Sequence, residues 1–545
     1  MSEWASDLTV AENHRNICKF SGFDDPKYKD LVRVLQNFLD EINTEDQPGH
    51  AGDGSAHQVL TILECKDSFK ILSTMDLSDH FDSVSNPSDD TFNWIPQMSE
   101  FLDFLGGTGP NILQIFGKPG CGKSVLAKFL HSVLKNPHMS SRNAKFHEIF
   151  FACSAADEGR RKPEHILGSL IHQLLHSAPD VPPTILKQWK KLWGKGGNQV
   201  WTLDLLLDAF CDLVTRQNQP LMCIIDGLDE CLPNTGIRRL IHTFAPIFNR
   251  SEHRCIIVSR PYNDFALPDR FAVKIDLDDQ DAMDDDVDSY IRSEVEKHLD
   301  FRPGHRSFER LIIETLRNRA NKMYLLVQLL IAILPDMTNS SPQAMKSVLQ
   351  GLPTTLRQIY DKLWQKILED NPDSATKRVG WLLCARRPFH LDEWAAVVAW
   401  DGFLSAGGKD VSKLEDYVSP DTAGDILCLF GPLVRANLFK VELCHPTVKE
   451  HFVDYMGKRI LSEAHFQLAE ICARTIDGTP SDSDRDSFHS ASSNLTIVGG
   501  NLKDRPCPNF LDYAAAAWHY HKSAAEDAGI ENKTLKLRYL DKTSD

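Results

Sequence analysis

Residues 117–124 read Gly117-Lys118-Pro119-Gly120-Cys121-Gly122-Lys123-Ser124. Glycines, a lysine and a hydroxyl at the spacing GxxxxGK[ST] make a phosphate-binding loop. Glycines let successive backbone N–H groups converge on phosphate oxygens; the lysine reaches the β- and γ-phosphates, and the hydroxyl is a ligand for Mg²⁺. Downstream, the apolar run Leu221 to Ile225 ends in Asp226, a carboxylate placed to hold a Mg²⁺-bound water beside such a loop. Asp229 and Glu230 follow, where a second carboxylate orients or deprotonates an attacking water; Asp229 reads equally well as a helix cap. The run Cys255 to Val258 ends in Ser259-Arg260-Pro261. A cation at the carboxyl edge of a parallel sheet faces the ligand crevice, so Arg260 is either a sensor of the γ-phosphate or half of a strand-end ion pair. The expected ligand is ATP or GTP with Mg²⁺. Gly117, Gly120, Cys121, Gly122, Lys123 and Ser124 are expected on the phosphates, Ser124 and Asp226 on the metal, and Glu230 and Asp229 at the water.

These residues need elements to hold them. Between 111 and 277, short apolar runs (Ile112–Phe116, Ile149–Cys153, Leu221–Ile225, Cys255–Val258, Val273–Leu277) alternate with helical patterns such as Val125–Leu134, Ile166–Leu175 and Leu203–Val214. Uniformly apolar strands separated by helices predict a parallel sheet covered on both faces. The expected fold is thus multidomain α/β plus α. A helical segment over 1–42 and a linker over 43–90 precede a lead-in helix over 91–107 and a phosphate-loop NTPase core over 108–280. A helical domain over 281–370 comes next, then a region over 371–460 whose order of helices (Leu391–Trp400, Gly424–Arg435) and short strands near Phe439–Leu443 suits a winged helix. A helical tail over 461–545 contains a Ser/Asp-rich loop over 479–508. The eight aspartates between Asp276 and Asp288 lack the spacing of a calcium loop and suit the first turn of a helix over Val287–Leu299.

Composition removes other classes. The chain of 545 residues carries a formal charge of −16 and no basic arm, which argues against a nucleic-acid partner. Its 13 cysteines are scattered without metal-ligand spacing, as in a reducing compartment, and no apolar run approaches the ~20 residues of a membrane span. A cytoplasmic protein with no membrane partner is expected.

Taken together, the phosphate loop, Asp226-Gly227-Leu228-Asp229-Glu230 and Ser259-Arg260-Pro261 resemble a NACHT domain of the signal-transducing (STAND) class. The similarity is to fungal proteins related to heterokaryon-incompatibility and NOD-like receptors. Thr91-Phe92-Asn93-Trp94-Ile95 resembles that family's lead-in, Leu352-Pro353 to Tyr360 its helical arm, Arg387-Pro388-Phe389-His390-Leu391 and Gly431-Pro432-Leu433-Val434 its winged helix, and Phe510-Leu511-Asp512-Tyr513-Ala514 a helix that precedes a repeat array. Leu443-Cys444-His445-Pro446 resembles the winged-helix histidine motif that touches a bound diphosphate. His445 is therefore either such a contact or a histidine at a helix start. Where the family often reads Ala-x-Gly-Met-Phe, this chain has Ala320-Asn321-Lys322-Met323-Tyr324.

The resemblance implies a signalling switch in which slow hydrolysis of the triphosphate controls self-association. The alternatives are a constitutive mechanical ATPase and a nucleotide-binding scaffold without turnover. Residues 530–545 are too few for one ankyrin or WD repeat. The expectation is accordingly a separate sensor or effector protein, or C-terminal helices without their usual restraint.

Overall fold

The computed structural model describes residues 65, 68, 69, 77–88, 91–135, 146–177, 181–193, 201–232, 234–261, 266–298, 306–334, 341–370, 372–408, 410–436, 440–477 and 508–527. The helix expected within 1–42, and all but the last residue of the loop expected over 479–508, lie outside these.

Helices α1 (Leu77–Ser83) and α2 (Ser99–Gly106) lead into strand β1 (Ile112–Phe116) and helix α3 (Lys123–Lys135). Then come β2 (His147–Ala152), α4 (Pro163–Ser177), α5 (Pro183–Trp193), α6 (Leu203–Thr215), β3 (Leu221–Asp226), α7 (Asn234–Asn249), β4 (Arg254–Ser259) and β5 (Val273–Asp276). The five strands form one parallel sheet in the order β2-β3-β4-β1-β5. Every residue of β1, β3 and β4 is buried, which is why these strands read as unbroken apolar runs rather than alternating ones. Each fully buried Ile or Leu among them contributes about 1.5–3 kcal/mol. Helix α1 lies inside the stretch expected to be a linker; its His80 is buried.

Register fixes the site. Strand β4 pairs with β1 on one side, Phe116 beside Ser259, and with β3 on the other, Asp226 beside Val258. The carboxyl ends of β1, β4 and β3 therefore lie in one row, and the phosphate loop, Arg260 and Asp226 emerge side by side.

Helices α8 (Ala282–His298), α9 (Arg306–Ala320), α10 (Tyr324–Ala332), α11 (Pro342–Gln350) and α12 (Leu356–Asp370) follow the sheet. After them run α13 (Pro372–Cys384), α14 (Leu391–Ser405), α15 (Thr422–Phe430), the antiparallel pair β6 (Val434–Ala436) and β7 (Val441–Leu443), α16 (Pro446–Asp477, broken at Gly457) and α17 (Leu511–Asp527). The helix expected over Gly424–Arg435 ends earlier, at Phe430. Gly431 takes φ 52° and ψ −132°, which a side chain resists, and Pro432 follows. The first strand then starts at Val434, within the span expected to be helical. One hydrophobic cluster runs from Val287 on α8 to Ala517 on α17, so these helices share a core.

The acidic segment is spent on structure. Asp276 caps the short turn Leu277–Asp279, Asp286 accepts the backbone N–H of Phe92 (2.8 Å) and the indole N–H of Trp94 (2.9 Å), and Asp288 bridges Arg292 and Arg317. A further tie joins the sheet's periphery to α17: Arg386 pairs with Glu158 after β2 and donates to the carbonyl of Ala516 on that helix. Its backbone N–H donates to the hydroxyl of Tyr513 (3.2 Å).

Candidate nucleotide-binding site

The loop after β1 curls over the start of α3. Gly120 has φ 77°, and a Cβ there would lie 2.9 Å from the Cβ of Leu325, so that position admits only glycine without displacement of α10. Lys123 folds back, its Nζ donating to the carbonyls of Gly117 (2.7 Å) and Lys118 (2.9 Å). Cys121 is buried, and burial raises its thiol pKa, so it packs the loop as an uncharged group.

Ser124 hydrogen-bonds to Asp226. Asp226 is 3% exposed, and burial raises its pKa to about 6 against the favourable pull of Ser124 and Lys123. Its Oδ1 is buried without a partner. A buried orphan carboxylate oxygen beside a serine hydroxyl is the donor set a Mg²⁺ ion fits, since that ion takes one or two protein oxygens and completes its octahedron with phosphates and water. Among the described residues no group of three or more His, Cys, Asp and Glu could hold a metal unaided.

After Asp226 the chain turns through Leu228–Glu230. Glu230 accepts the backbone N–H of Ala155 (2.9 Å) from the loop after β2, and burial raises its pKa to about 7, with Asp229 and Asp226 adding to the rise. Asp229 faces β4 instead: its carboxylate accepts the Arg260 backbone N–H (2.9 Å) and pairs with the Arg260 side chain (Nε–Oδ2 3.2 Å). The helix-cap reading of Asp229 therefore gives way to a clamp on Arg260. Arg260 in turn pairs with Glu450 on α16 (2.9 Å). In this state it is an ion-pair residue that joins the sheet to the helical region.

His445 stands just before α16. Its Nδ1 lies 2.8 Å from the hydroxyl of Thr447 and accepts that residue's backbone N–H at 3.2 Å. Burial, followed by Arg260, Lys123 and Arg435, lowers its pKa to about 3, so it stays neutral. It thus meets local partners at a helix start and also lines the same cavity as the phosphate loop. That cavity, about 770 Å³, is walled by Gly120, Gly122, Lys123, Ser124, Asp226, Asp229, Glu230, Arg260 and His445. Of the expected site residues only Gly117 and Cys121 stay behind its wall.

The family described as Nephrocystin 3, N-terminal, matches residues 90–260. The matched span takes in the phosphate loop, Asp226, Asp229, Glu230 and Arg260. Solved structures with similarity to the chain include two described as ATPases. A Signal Transduction ATPase with Numerous Domains (STAND) protein with a tetratricopeptide repeat sensor, from Pyrococcus horikoshii, is 12% identical with a TM-score of 0.38, over 72% of this chain and 46% of that one. The chain thus spans less than half of that protein. A Walker-type ATPase of Pyrococcus abyssi is 14% identical (TM-score 0.30; 68% of this chain, 97% of that one). The ORC1 protein of Aeropyrum pernix, solved in complex with DNA, is 11% identical (TM-score 0.29; 68% and 94%). No curated protein sequence matches. No helix of the described residues is long and apolar enough to cross a membrane.

The phosphate loop has neighbours whose contacts sequence reasoning did not supply. Asn321 and Lys322 have φ of 46° and 56°, a backbone region that side chains resist. The Lys322 ammonium offsets the strain by donating to the carbonyls of Asp278 (2.8 Å) and Gln280 (3.0 Å), and the turn delivers the Leu325 N–H to the Gly120 carbonyl (3.2 Å). Arg160, after β2, is buried and lines the cavity with His80 of α1. Arg160 lies well beyond the end of β2 at Ala152, and so escapes the rule that singled out Arg260, a cation directly at a strand's carboxyl end.

Proposed function

We propose that this protein is a nucleotide-gated switch that binds ATP or GTP with Mg²⁺ and hydrolyses it slowly. The single observation that carries this reading is the shared cavity: Lys123 and Asp226 of the NTPase module and His445 ahead of α16 line one space, and Arg260 spans it from Asp229 to Glu450. A ligand there touches both halves, so its phosphate count biases how they pack.

On binding, Lys123 exchanges the carbonyls of Gly117 and Lys118 for phosphate oxygens. Ser124 and Asp226 would hold Mg²⁺, which when bound neutralises charge on the phosphates. Glu230, with a pKa near 7, takes a proton from the attacking water. Asp229 positions Arg260. A triphosphate draws Arg260 toward its terminal phosphate, away from Glu450, and so loosens α16 from the sheet; a diphosphate leaves the bridge and His445 in place. The loosened form self-associates, and a separate sensor or effector protein sets or reads the state. The winged-helix assignment for residues 371–460, with two helices, a third helix and a strand pair, belongs to this reading. So do a cytoplasmic location and the absence of a nucleic-acid partner, which rests on the −16 charge.

Lys123→Ala tests the site itself. Calorimetry should find high-affinity binding of both ATP and GTP abolished with the far-UV spectrum retained, because the lysine's bonds in the free protein are local ones. Unchanged affinity for both nucleotides would overturn the assignment.

A further inference from the structure

We propose that Arg160 is a second cationic contact for the terminal phosphate of a bound triphosphate, positioned by His80, and that it sets the preference for triphosphate over diphosphate. The inference rests on the nucleotide reading above and adds a residue to that site.

Strand β2 pairs with β3 so that Ala152 lies beside Asp226. The loop that follows β2 therefore leaves the sheet next to the metal-binding carboxylate. Arg160 ends the short turn Glu158–Arg160 in that loop, is 8% exposed, and lines the cavity alongside Lys123, Ser124, Asp226 and Glu230. It is near enough to Asp226 to favour that residue's ionised form.

A guanidinium stays charged in proteins, and burying one without a counter-ion is costly. Among the described residues no carboxylate forms an ion pair with Arg160. The contrast is with Arg260, which Asp229 and Glu450 already neutralise. Arg160 is nonetheless held firmly. Its Nε donates to the Ala152 carbonyl (2.9 Å), its Nη2 to His80 Nδ1 (3.3 Å), and its own carbonyl accepts the Ser154 N–H (3.1 Å). One edge of the guanidinium is thus fixed, and among the described residues no acceptor meets Nη1.

Because Arg160 can only donate, His80 accepts at Nδ1 and carries its proton on Nε2. That Nε2 is buried without a partner, and His80 also lines the cavity. Burial, with the Arg160 cation, keeps the ring neutral. A clamped cation without a carboxylate and an orphan donor on one cavity wall are complementary to an oxyanion. Arginine suits phosphate oxygens by its planar fork of donors.

The test uses the full chain and four probes: the β,γ-imido analogues of ATP and GTP, and ADP and GDP, each with Mg²⁺. Arg160→Gln should weaken the preferred triphosphate analogue by about tenfold or more, the scale of a lost charge-assisted contact, and the matching diphosphate by less than about threefold. Arg160→Lys should fall between wild type and Arg160→Gln. His80→Phe, which keeps the arginine but removes its anchor, should lower the triphosphate-to-diphosphate affinity ratio by a smaller factor. Equal losses for both nucleotides, or none, would overturn the proposal. If Arg160→Gln does not fold, Arg160→Lys decides, and an unchanged ratio there overturns it. A wild-type protein that binds none of the four probes would instead sink the nucleotide reading.

Discussion

Replacing Glu230 with glutamine separates its cost to the fold from its use in chemistry. Burial lifts this carboxyl from the ordinary 4.5 to about 7. Between those values the folded protein keeps a proton that the unfolded chain has released, so the wild type loses stability as pH rises through that window and levels off above it. The full shift corresponds to about 3 kcal/mol. Glu230 is only partly buried, so solvent screening reduces this to about 1–3 kcal/mol. Glutamine has no such titration, and its carbonyl oxygen can still accept the Ala155 N–H. Urea titrations of the nucleotide-free chain should therefore find Glu230→Gln nearly equal to wild type near pH 4.5 and more stable by about 1–3 kcal/mol at pH 8. Asp226, also raised, to about 6, remains in both proteins and largely cancels in the difference. Chemistry should move the opposite way. Wild-type kcat/KM should rise with pH through about 7 as the base deprotonates, and the variant should turn over about 10²-fold more slowly in a single-turnover assay while still binding nucleotide. Equal single-turnover rates would refute the general-base role; a stability difference that is flat from pH 4.5 to 8 would refute the account of its burial.

Two further perturbations probe the cavity's other walls. His445→Leu removes the ring that lines the cavity and meets Thr447, and it should raise the oligomeric fraction at fixed diphosphate; light scattering unchanged with either nucleotide would leave His445 as a packing residue. Gly120→Ala places a Cβ against Leu325 at a backbone angle that alanine resists, and should lower the thermal midpoint by several degrees and weaken nucleotide binding; a midpoint equal to wild type would show that α10 yields at no cost.

What was legible in the sequence was local. The phosphate loop and Asp226 depend on neighbours within a few residues and on strands buried on both faces, and both features leave a mark in the string. Arg260 was found by the same logic, but its partner Glu450 lies 190 residues away, and no periodicity announces such a pair. Asp229 reads from sequence as a carboxylate at the water or as a helix cap, and its pairing with Arg260 depends on β4 lying next to β3, which is a matter of strand order. Arg160 escapes that logic because it lies beyond the strand end, in a turn set by Asp157 and by His80 from a separate helix. The end of α15 differs from the expected helix for another reason: Gly431-Pro432, part of the family-like motif, also acts as a stop signal.

The tie through Arg386 bears on how the protein comes apart. One residue between α13 and α14 holds Glu158 at the sheet's periphery and Ala516 on α17, while its backbone N–H reaches the Tyr513 hydroxyl. Residues more than two hundred positions apart thereby enter a single melting unit, and boundaries drawn along the chain are not lines along which it can fray. Heat or denaturant that releases α17 also uncovers the ring of Phe389, whose centroid lies 4.7 Å from that of Tyr513 with the two rings tilted, and removes an acceptor that holds Arg386 beside Glu158. Loss of α17 and loosening of the loop that carries Arg160 are thus one cooperative event, and amide exchange in the two should rise together.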